Sequence, residues 1–372
     1  MKTVKVPFLD LRVNDVALKK ELIGRVEKIL SHGRIVEGPE QQEFEKKFAT
    51  EIGVKYAVGV SSGSSALYLA LLGSGVGPGD EVITTPFTWI ITVNAIVATG
   101  AKPIFVDVKD DFNIDPNAIE IAITAKTKAI VPMHVAGHMC DMESIARIAS
   151  DNNLLIIEDA AQAFCGSLSG KRAGTFSQAA GFSMNPMKIL HAYGEAGVVT
   201  TNSNKIYNKI KQMRHAGTKR DKEGKHINRC NYIALNHKID TIQASMLIAS
   251  MGRINKIKEK RDQIASMYDA AFSDIMDLQM IRKGEVHGRY IYLMACNKRD
   301  SLRKYLINNG IENKVFYSPL VCDAAVYKDK KIKLDVPKAR NLLKQSLSIP
   351  LHEKMTIKQT EYVIENIHRF YS

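Results

Sequence analysis

The chain has 372 residues, of which 45% are hydrophobic and 24% charged, and its formal net charge is +13. This length is sufficient for one large domain and a smaller second one, and the composition excludes a disordered or fibrous chain. The positive charge fits a lysine-rich solvated surface or a cleft that attracts anionic ligands, whereas scattered basic residues without a recognised motif do not indicate nucleic-acid binding.

The cysteine pattern and the hydropathy pattern narrow the class of protein further. The five cysteines are odd in number and lack CxxC spacing, which predicts reduced thiols and not a disulfide framework or a zinc site. No apolar run is long enough to cross a bilayer, and residues 1–12 lack the apolar segment of a signal peptide. We therefore expect a cytoplasmic protein with no metal site and no membrane partner.

The first half of the chain alternates between helical and strand patterns. Apolar residues at helical spacing predict helices over 16–30 and 39–53. From Tyr56 onward, short apolar runs that read as strands alternate with helices; the runs cover 56–60, 80–87, 102–108, 128–135 and 154–161. This alternation predicts an α/β fold with a mostly parallel sheet that is covered by helices on both faces.

The second half of the chain changes character after Thr201. A helical pattern leads into the basic and polar stretch 214–230, and one or two amphipathic helices follow over 240–272. Strands and helices then alternate through 289–296, 301–310 and 314–320 to a final helix near 357–370. We predict a large domain over 1–253 and a smaller C-terminal α+β domain over 254–372, with residues 254–270 as the connecting helix.

Lys188 is the first candidate for chemistry. It follows Ser183 by five residues and precedes Gly194 and Gly197, and its neighbours are mainly apolar: Met184, Met187, Ile189 and Leu190. A lone lysine is most often a solvated surface charge. Apolar surroundings, however, disfavour the ammonium form of an amine, and the neutral amine is the form that attacks a carbonyl or forms a Schiff base.

Residues Ser61–Leu67, with the sequence SSGSSAL, lie at a predicted strand-to-helix junction. Free backbone N–H groups at a helix N-terminus bind anions, and glycine permits a close backbone approach. A helix cap with flexible turn residues explains the same pattern. The stretch is not a Walker loop, because no GK[ST] follows, and it lacks the GxGxxG of a dinucleotide fold.

Two acidic residues end a predicted buried strand in the sequence IIEDAAQAF, residues 156–164. The carboxyl end of a strand is where α/β sheets place functional groups. A buried Asp159 requires a partner, which a protonated heterocyclic nitrogen would supply, and Gln162 could then reach a neighbouring oxygen. The alternative is an aspartate that caps the following helix.

Two further segments carry weaker signals. Trp89, the only tryptophan, opens a predicted helix directly after a strand, and is either a core aromatic or a stacking platform for a planar ring. Asn236 and Gln243 precede an apolar helix, where a helix cap is an equally good explanation. A phosphate cup, an aromatic platform, an acid for a ring nitrogen and an amine for a Schiff base are together what pyridoxal 5′-phosphate requires.

These segments also resemble the DegT/StrS-type nucleotide-sugar aminotransferases, which are fold-type I pyridoxal-phosphate enzymes. The resemblance covers essentially the whole chain; it includes GRIVEGPEQQEFEKKFA, the GSSAL turn, GDEVITTPFTW, PIFVDV, PMHVAGHMCDM, IIEDAAQAFCG, FSMNPMK, GEAG and LSIPLHEKMT. It implies a seven-stranded, mostly parallel sheet in the large domain. Pyridoxal 5′-phosphate is the implied cofactor.

The resemblance implies a role for each candidate residue. Lys188 would be the catalytic residue and would bind the cofactor as a Schiff base, while Asp159 would pair with its ring nitrogen. Gln162 would lie near the cofactor hydroxyl and Trp89 would stack on the ring. The phosphate would be held by Gly63, Ser64, Ser65 and Ser183, with Asn236 reaching it from the neighbouring subunit of a homodimer.

The function implied is transfer of an amino group from glutamate to a keto-deoxy sugar on a nucleotide diphosphate, for amino-sugar biosynthesis. A keto-cyclitol acceptor or a non-catalytic pyridoxal-phosphate-binding regulator is the alternative. Sugar dehydratases of the family have histidine at the lysine position, so Lys188 disfavours that activity.

The chain departs from the usual family pattern at three places: His237–Lys238 after Asn236, Asn185 before the proline of the lysine motif, and HVAG at 134–137.

Overall fold

The computed structural model describes residues 5–328 and 335–372. Its first 253 residues contain eight α-helices among those described: α1 Val16–His32, α2 Pro39–Ile52, α3 Gly63–Gly73, α4 Ile90–Ala98, α5 Pro116–Ala122, α6 Met142–Asp151, α7 Asn204–Arg214 and α8 Thr241–Met251. The two N-terminal helices lie within two residues of the predicted bounds. Side-chain capping explains the start of α1, because Asp15 accepts a hydrogen bond from the Leu18 N–H at 3.0 Å.

Eleven strands lie in the same described part of the chain: β1 Tyr56–Val60, β2 Glu81–Thr84, β3 Lys102–Phe105, β4 Thr127–Val131, β5 Leu155–Asp159, β6 Ser167–Leu168, β7 Lys171–Arg172, β8 Ala179–Ser183, β9 Gly197–Thr201, β10 Thr218–Arg220 and β11 His226–Cys230. Seven of them form one sheet in the order β1-β9-β8-β5-β4-β2-β3. Only β9 runs antiparallel to its neighbours. The predicted fold class is therefore confirmed.

Both faces of this sheet are buried under helices. Ile156 and Ile157 are neighbours in β5 and point to opposite faces, as the period of a strand requires. Ile156 belongs to a core that includes Phe44 and Phe48 of α2, whereas Ile157 belongs to a core that includes Leu69 of α3. The near-continuous apolar runs of the sequence follow from this double burial.

The carboxyl ends of the parallel strands meet at one edge of the sheet, and this edge positions the candidate residues. Asp159 ends β5, Ser183 ends β8, and the turn at Ser61–Ser62 follows β1. The antiparallel strand β9 starts at the same edge, since Gly197 pairs with both Val60 and Ser183. Residues far apart in the chain thus converge within one small region.

The C-terminal part has its own sheet and core. Its helices are α9 Ile254–Phe272, α10 Arg299–Asn308, α11 Ala325–Lys328, α12 Pro337–Gln345 and α13 Ile357–Tyr371, and its strands are β12 Asp277–Leu278, β13 Glu285–Val286, β14 Tyr292–Ala295 and β15 Ser346–Ile349. Strands β12, β14 and β15 form an antiparallel sheet. Its core also includes Val6, which forms a parallel bridge with Ile311. The division at residue 253 stays a prediction.

Two segments have a local structure that the sequence pattern did not specify. The basic stretch 214–230 contains the antiparallel pair β10–β11. Residues 314–320, which have an apolar pattern like that of a strand, form only an isolated bridge between Lys314 and Ser348. Phe316 and Tyr317 instead pack into a cluster with residues of both parts of the chain, including Phe87 and Leu293, so tertiary packing determines their conformation.

Among the described residues, no helix has both the length and the apolar character to cross a membrane. Within the same residues, no group of three or more His, Cys, Asp or Glu side chains is arranged to hold a metal ion.

A buried ion cluster joins the large sheet domain to the segment that precedes β14. The His138 ring contacts Glu285 through Nδ1 at 2.7 Å and Asp111 through Nε2 at 3.2 Å. Burial by itself would lower the pKa of His138, but the two carboxylates outweigh it and raise that pKa. Burial would raise the pKa of Glu285, yet the hydrogen bond from His138 lowers it.

This cluster predicts a pH-dependent contribution to stability. The raised pKa of His138 stabilises the fold fully below the unfolded value of about 6.5, and this stabilisation is lost as pH rises through the folded pKa. The lowered pKa of Glu285 stabilises the fold above about pH 4.3 and is lost as pH falls through its folded pKa. His138→Gln should therefore lower the free energy of unfolding by about 2–3 kcal/mol near pH 6 and by less above pH 8. Denaturant unfolding across this pH range measures the free energy of unfolding. A double-mutant cycle with Glu285→Gln isolates the interaction between His138 and Glu285. A loss of stability that does not depend on pH would contradict the expectation.

Candidate active site

A cavity of about 1180 Å³ opens at the carboxyl edge of the large sheet. Its wall on the other side is formed by residues of α10 and by the segment 313–321. Most of the residues predicted from the sequence line it together: Gly63, Ser64, Trp89, Asp159, Gln162, Ser183 and Lys188. The structure thus brings seven of the nine candidates into one site.

The turn that leads into α3 is held against two strands by contacts that only glycine permits. A Cβ atom on Gly63 would lie 2.6 Å from the Ser183 Cβ, and one on Gly197 would lie 2.2 Å from the Ser62 carbonyl oxygen. Ser62 caps α3, because its Oγ accepts a hydrogen bond from the Ser65 N–H at 3.1 Å. The helix N-terminus and the Ser183 hydroxyl therefore face the cavity side by side, which suits an anion such as a phosphate.

The other two candidates do not line the cavity. The Ser65 side chain is buried and bonds to the Ser61 hydroxyl at 2.9 Å and to the His237 Nδ1 at 2.9 Å. Asn236 is exposed, and its Oδ1 accepts from the Lys238 N–H at 3.2 Å. Within a single chain neither side chain is directed at the site, so a role for Asn236 requires a second subunit.

Asp159 is the buried acid of the site, with a relative exposure of 6%. Its Oδ2 accepts a hydrogen bond from the Thr92 hydroxyl at 2.7 Å, and its Oδ1 accepts from the Ala161 N–H at 3.1 Å. Burial raises the pKa of Asp159, while the hydrogen bond from Thr92, the Ala161 N–H and the charge of Lys188 act in the opposite direction. The carboxylate therefore lacks a full counter-charge and can accept a cationic partner.

Glu158, the second acid of the pair, points away from Asp159 because neighbours in a strand alternate. Its carboxylate accepts hydrogen bonds from the Gly174 N–H at 2.8 Å, the Phe176 N–H at 2.9 Å and the Ser177 hydroxyl at 2.7 Å. Glu158 is completely buried, and these hydrogen bonds hold the loop before β8 in place. Of the two acids, only Asp159 lines the cavity.

Gln162 is fixed in orientation by bonds at both ends of its amide. Its Oε1 accepts from the Ala136 N–H at 2.7 Å, and its Nε2 donates to the Tyr317 hydroxyl. Burial raises the pKa of Tyr317 well above its ordinary value, so this phenol stays protonated. The amide and the phenol form one polar wall of the cavity beside Asp159.

Lys188 projects its amine into the cavity, and Nζ lies 4.1 Å from the centroid of the Tyr290 ring. The Lys188 N–H donates to the Asn185 carbonyl at 2.8 Å, which makes the lysine part of a tight turn. A cation above an aromatic face is stabilised by the ring quadrupole, so Tyr290 can hold the amine, and among the described residues Lys188 forms no ion pair. This arrangement leaves the amine available for chemistry.

Trp89 is not a core aromatic, because 59% of the residue is exposed. It occupies the N-cap position of α4, and its ring centroid lies 6.2 Å from that of Tyr317. The indole forms part of the cavity wall and offers a flat apolar face. This position is compatible with stacking on a planar ring.

Sequence reasoning missed Thr92, Tyr290 and Tyr317, which all line the cavity. Thr92 lies inside a helical apolar run, and the two tyrosines lie in the C-terminal part of the chain. No local pattern distinguishes them from core residues.

Asn185 stands where the family usually has another residue. Its Nδ2 donates to the Glu195 carboxylate at 2.6 Å.

The residues present fit pyridoxal 5′-phosphate. The Gly63 turn and Ser183 form a cradle that a Cβ atom would fill, which suits the phosphate group. Asp159 is a buried carboxylate with room for a cationic partner, which a protonated pyridine nitrogen would be. Lys188 supplies an amine for the aldehyde, and Trp89 supplies a flat surface for the ring. The sheet topology and this set of groups define a fold-type I pyridoxal-phosphate enzyme.

Comparison with known proteins extends this assignment. Residues 16–368 match the model of the DegT/DnrJ/EryC1/StrS aminotransferase family, and the chain belongs to that family. The chain is 36% identical over 378 residues to a pleiotropic regulatory protein of Geobacillus stearothermophilus, with 99% of each chain covered. It is 33% identical to a UDP-2-acetamido-2-deoxy-3-oxo-D-glucuronate aminotransferase of Pseudomonas aeruginosa, over 93% of this chain and 95% of that one.

Solved structures agree with the family assignment. DesV of S. venezuelae, in complex with a ketimine intermediate, superposes with a TM-score of 0.93 at 32% identity over 99% of each chain. NtdA of Bacillus subtilis, with bound cofactor PMP, superposes with a TM-score of 0.90 at 28% identity, over 99% of this chain and 86% of that one. The chain is thus a pyridoxal-phosphate-dependent aminotransferase.

Thr92→Val should weaken cofactor binding by about fivefold to one-hundredfold, because it removes a hydroxyl donor from the buried Asp159 carboxylate. Titration of apoprotein with pyridoxal 5′-phosphate, followed by absorbance, measures the dissociation constant. Thr92→Ser keeps the donor and serves as the matched control, which should stay within about threefold of the parent protein. Equal weakening by both variants would show that packing at this position matters and the hydrogen bond does not.

Proposed function

We propose that this enzyme transfers an amino group from glutamate to a keto-deoxy sugar carried on a nucleotide diphosphate, in the biosynthesis of an amino sugar. The observation that carries this proposal is the shape of the cavity. It continues from the Lys188 and Asp159 region to basic residues of α10 and the 313–321 segment. An acceptor with a reactive sugar at one end and a charged diphosphate at the other fits such a cavity.

The residues of the chain supply the proton handling for this reaction. Bound pyridoxal 5′-phosphate supplies the electron sink that stabilises negative charge at the reacting carbon. With the cofactor and an amine substrate bound, the Lys188 amine would be free to accept the proton that leaves the substrate carbon and later to return one. Asp159 would keep the ring nitrogen of the bound cofactor protonated, and Gln162 with Tyr317 would offer polar groups to it from the wall beside Asp159. The same residues serve donor and acceptor, because the second half-reaction reverses the first.

The outer part of the cavity is suited to a diphosphate. Arg299 is already engaged, since its guanidinium bonds to Asp300 and to the carbonyls of Leu343 and Ser346. Arg303 and Lys314 are exposed in the cavity wall, and the Lys314 amine lies 4.8 Å above the Phe8 ring. Two exposed cations in the cavity wall would favour binding of a polyanionic substrate and increase its association rate.

A homodimer with shared active sites is part of this proposal. Asn236 lies outside the cavity of its own chain, next to apolar side chains that are largely exposed: Ile233 at 99% and Leu235 at 74%. Exposed apolar residues beside a polar candidate favour an interface between two copies. Asn236 would then reach the phosphate site of the partner subunit.

The five free cysteines support the cytoplasmic location proposed for the enzyme.

A non-catalytic regulator is the second candidate, because the relative in Geobacillus stearothermophilus is a pleiotropic regulatory protein. Such a protein would bind the cofactor without turnover. The convergence of Lys188, Asp159 and Gln162 in one cavity supports the enzyme instead.

A keto-cyclitol is the alternative acceptor. Because it carries no diphosphate, it would leave Arg303 and Lys314 without a ligand.

Addition of glutamate to the cofactor-loaded protein should bleach its visible absorbance, and a nucleotide-linked 3-keto or 4-keto sugar should restore it. Lys188→Ala should lower turnover by at least about 1000-fold, since it removes both the covalent attachment and the general base. Stopped-flow absorbance and NMR of the product measure both effects. A protein that keeps its colour with every amino donor would be a regulator, and full activity of Lys188→Ala would refute the role of this lysine.

Arg303→Gln should increase KM for the nucleotide sugar about tenfold and leave the glutamate half-reaction unchanged, because one charge-assisted contact to the diphosphate is lost. Lys304→Gln, which removes the adjacent exposed charge outside the cavity, is the matched control. Steady-state kinetics with each substrate varied separately give the two constants. An unchanged KM for the sugar would place the diphosphate elsewhere.

A further inference from the structure

A second cavity, of about 310 Å³, lies beside the loop that follows Lys188. It shares no lining residue with the first cavity. Four segments converge on it: residues 11–18, the loop residues His191 and Tyr193, residues 250–260 at the junction of α8 and α9, and residues 353–354. Its volume lies at the lower end of the range for small-molecule sites. The reaction described above does not use it.

Positive charge predominates in the lining of this second cavity. Its basic side chains are Arg12, Arg253, Lys256, Lys260 and Lys354, whereas its acidic ones are Asp15 and Glu353. Both acids already have an arginine partner: Asp15 pairs with Arg253 at 3.0 Å, and Glu353 pairs with Arg261 at 3.2 Å. The negative charges of the lining are therefore compensated before any ligand binds.

Two of the basic residues are available to a ligand. Lys256 and Lys260 lie one turn apart on α9 and so share a face of that helix. Lys260 Nζ donates only to the neutral Gln263 amide oxygen at 2.9 Å, and in the part of the chain that the structure describes Lys256 has no hydrogen-bond or ion-pair partner. The remaining basic side chains are committed, since Arg12 pairs with Asp10 and Lys354 donates to main-chain carbonyls.

The rest of the lining is largely apolar and includes Leu11, Val13, Leu18 and Ile257, with the Tyr193 ring. A ligand that satisfies both parts has a compact apolar or aromatic body and one strongly anionic group. Two adjacent lysines suit a dianion better than a singly charged carboxylate. We propose that this cavity is a second binding site, for a small organic phosphate of the phosphomonoester class.

Occupancy of this site is coupled to Lys188 through His191. The His191 Nδ1 lies 3.2 Å from the Lys188 carbonyl oxygen, and the Ser250 hydroxyl donates to the His191 carbonyl at 3.1 Å. His191, which lines the second cavity, thus also contacts the main chain of the catalytic lysine through its ring. A ligand that contacts this ring changes the setting of Lys188, and conversely the state of Lys188 changes the affinity of the ligand.

Calorimetric titration of the cofactor-loaded enzyme with phenyl phosphate tests the proposal. We expect one site per chain with a Kd of about 1 mM or tighter. The double variant Lys256→Gln with Lys260→Gln should weaken binding at least about tenfold. The matched control, Lys46→Gln with Lys47→Gln, removes the same charge from the exposed surface of α2 and should bind like the parent.

The visible spectrum of the loaded enzyme provides a second readout. Phenyl phosphate should shift the pH midpoint of the absorbance change in the parent, and the Lys256/Lys260 variant should not respond. Absence of binding, or equal binding to both double variants, would overturn the site. Loss of binding in Arg303→Gln with retention in the Lys256/Lys260 variant would place phenyl phosphate in the first cavity. Binding without a spectral shift would overturn the coupling.

Discussion

The close approach of the turn at Ser62–Gly63 to two strands is the constraint on which the active site depends. Gly63 lies against Ser183 at the end of β8, and Gly197 at the start of β9 lies against the Ser62 carbonyl. Any side chain at either glycine would separate the turn from the sheet edge. The helix N-terminus, the Ser183 hydroxyl and the start of the lysine loop would then no longer face one cavity. The two glycines therefore define the cradle that would hold a phosphate group.

Burial of the Asp159 carboxylate is the second requirement. An unpaired carboxylate in the interior is unfavourable, and the pKa of this group is raised accordingly. The hydrogen bond from Thr92 offsets part of the cost, and the remainder favours a cationic ring nitrogen beside Asp159. This unfavourable burial would favour cofactor binding, because a protonated ring nitrogen would supply the positive charge that the Asp159 carboxylate lacks. Lys188 remains free to react, since an aromatic ring and not a fixed carboxylate lies beneath its amine.

The lysine loop connects two cavities with different character. On one side Lys188 and Glu195 line the large cavity, and on the other His191 and Tyr193 line the small basic one. The proposed coupling between the two cavities rests on this loop, because the His191 ring lies 3.2 Å from the Lys188 carbonyl oxygen. The buried His138 cluster performs a separate task, because it fixes the segment before β14 to the large domain.

The sequence by itself indicated five of the seven strands of the large sheet, most of the helices and nine candidate residues, of which seven line the cavity. Hydrophobic periodicity and glycine-rich turns are local signals, and strand order places the carboxyl ends together. Tertiary structure alone decided that Tyr317, Tyr290 and Thr92 join the site, because these residues look like core residues in their own segments. It also decided that Trp89 is exposed, that Ser65 turns inward to His237, and that Asn236 lies outside the cavity of its own chain. The direction of a side chain depends on its packing partners, which for these residues lie far away in the chain.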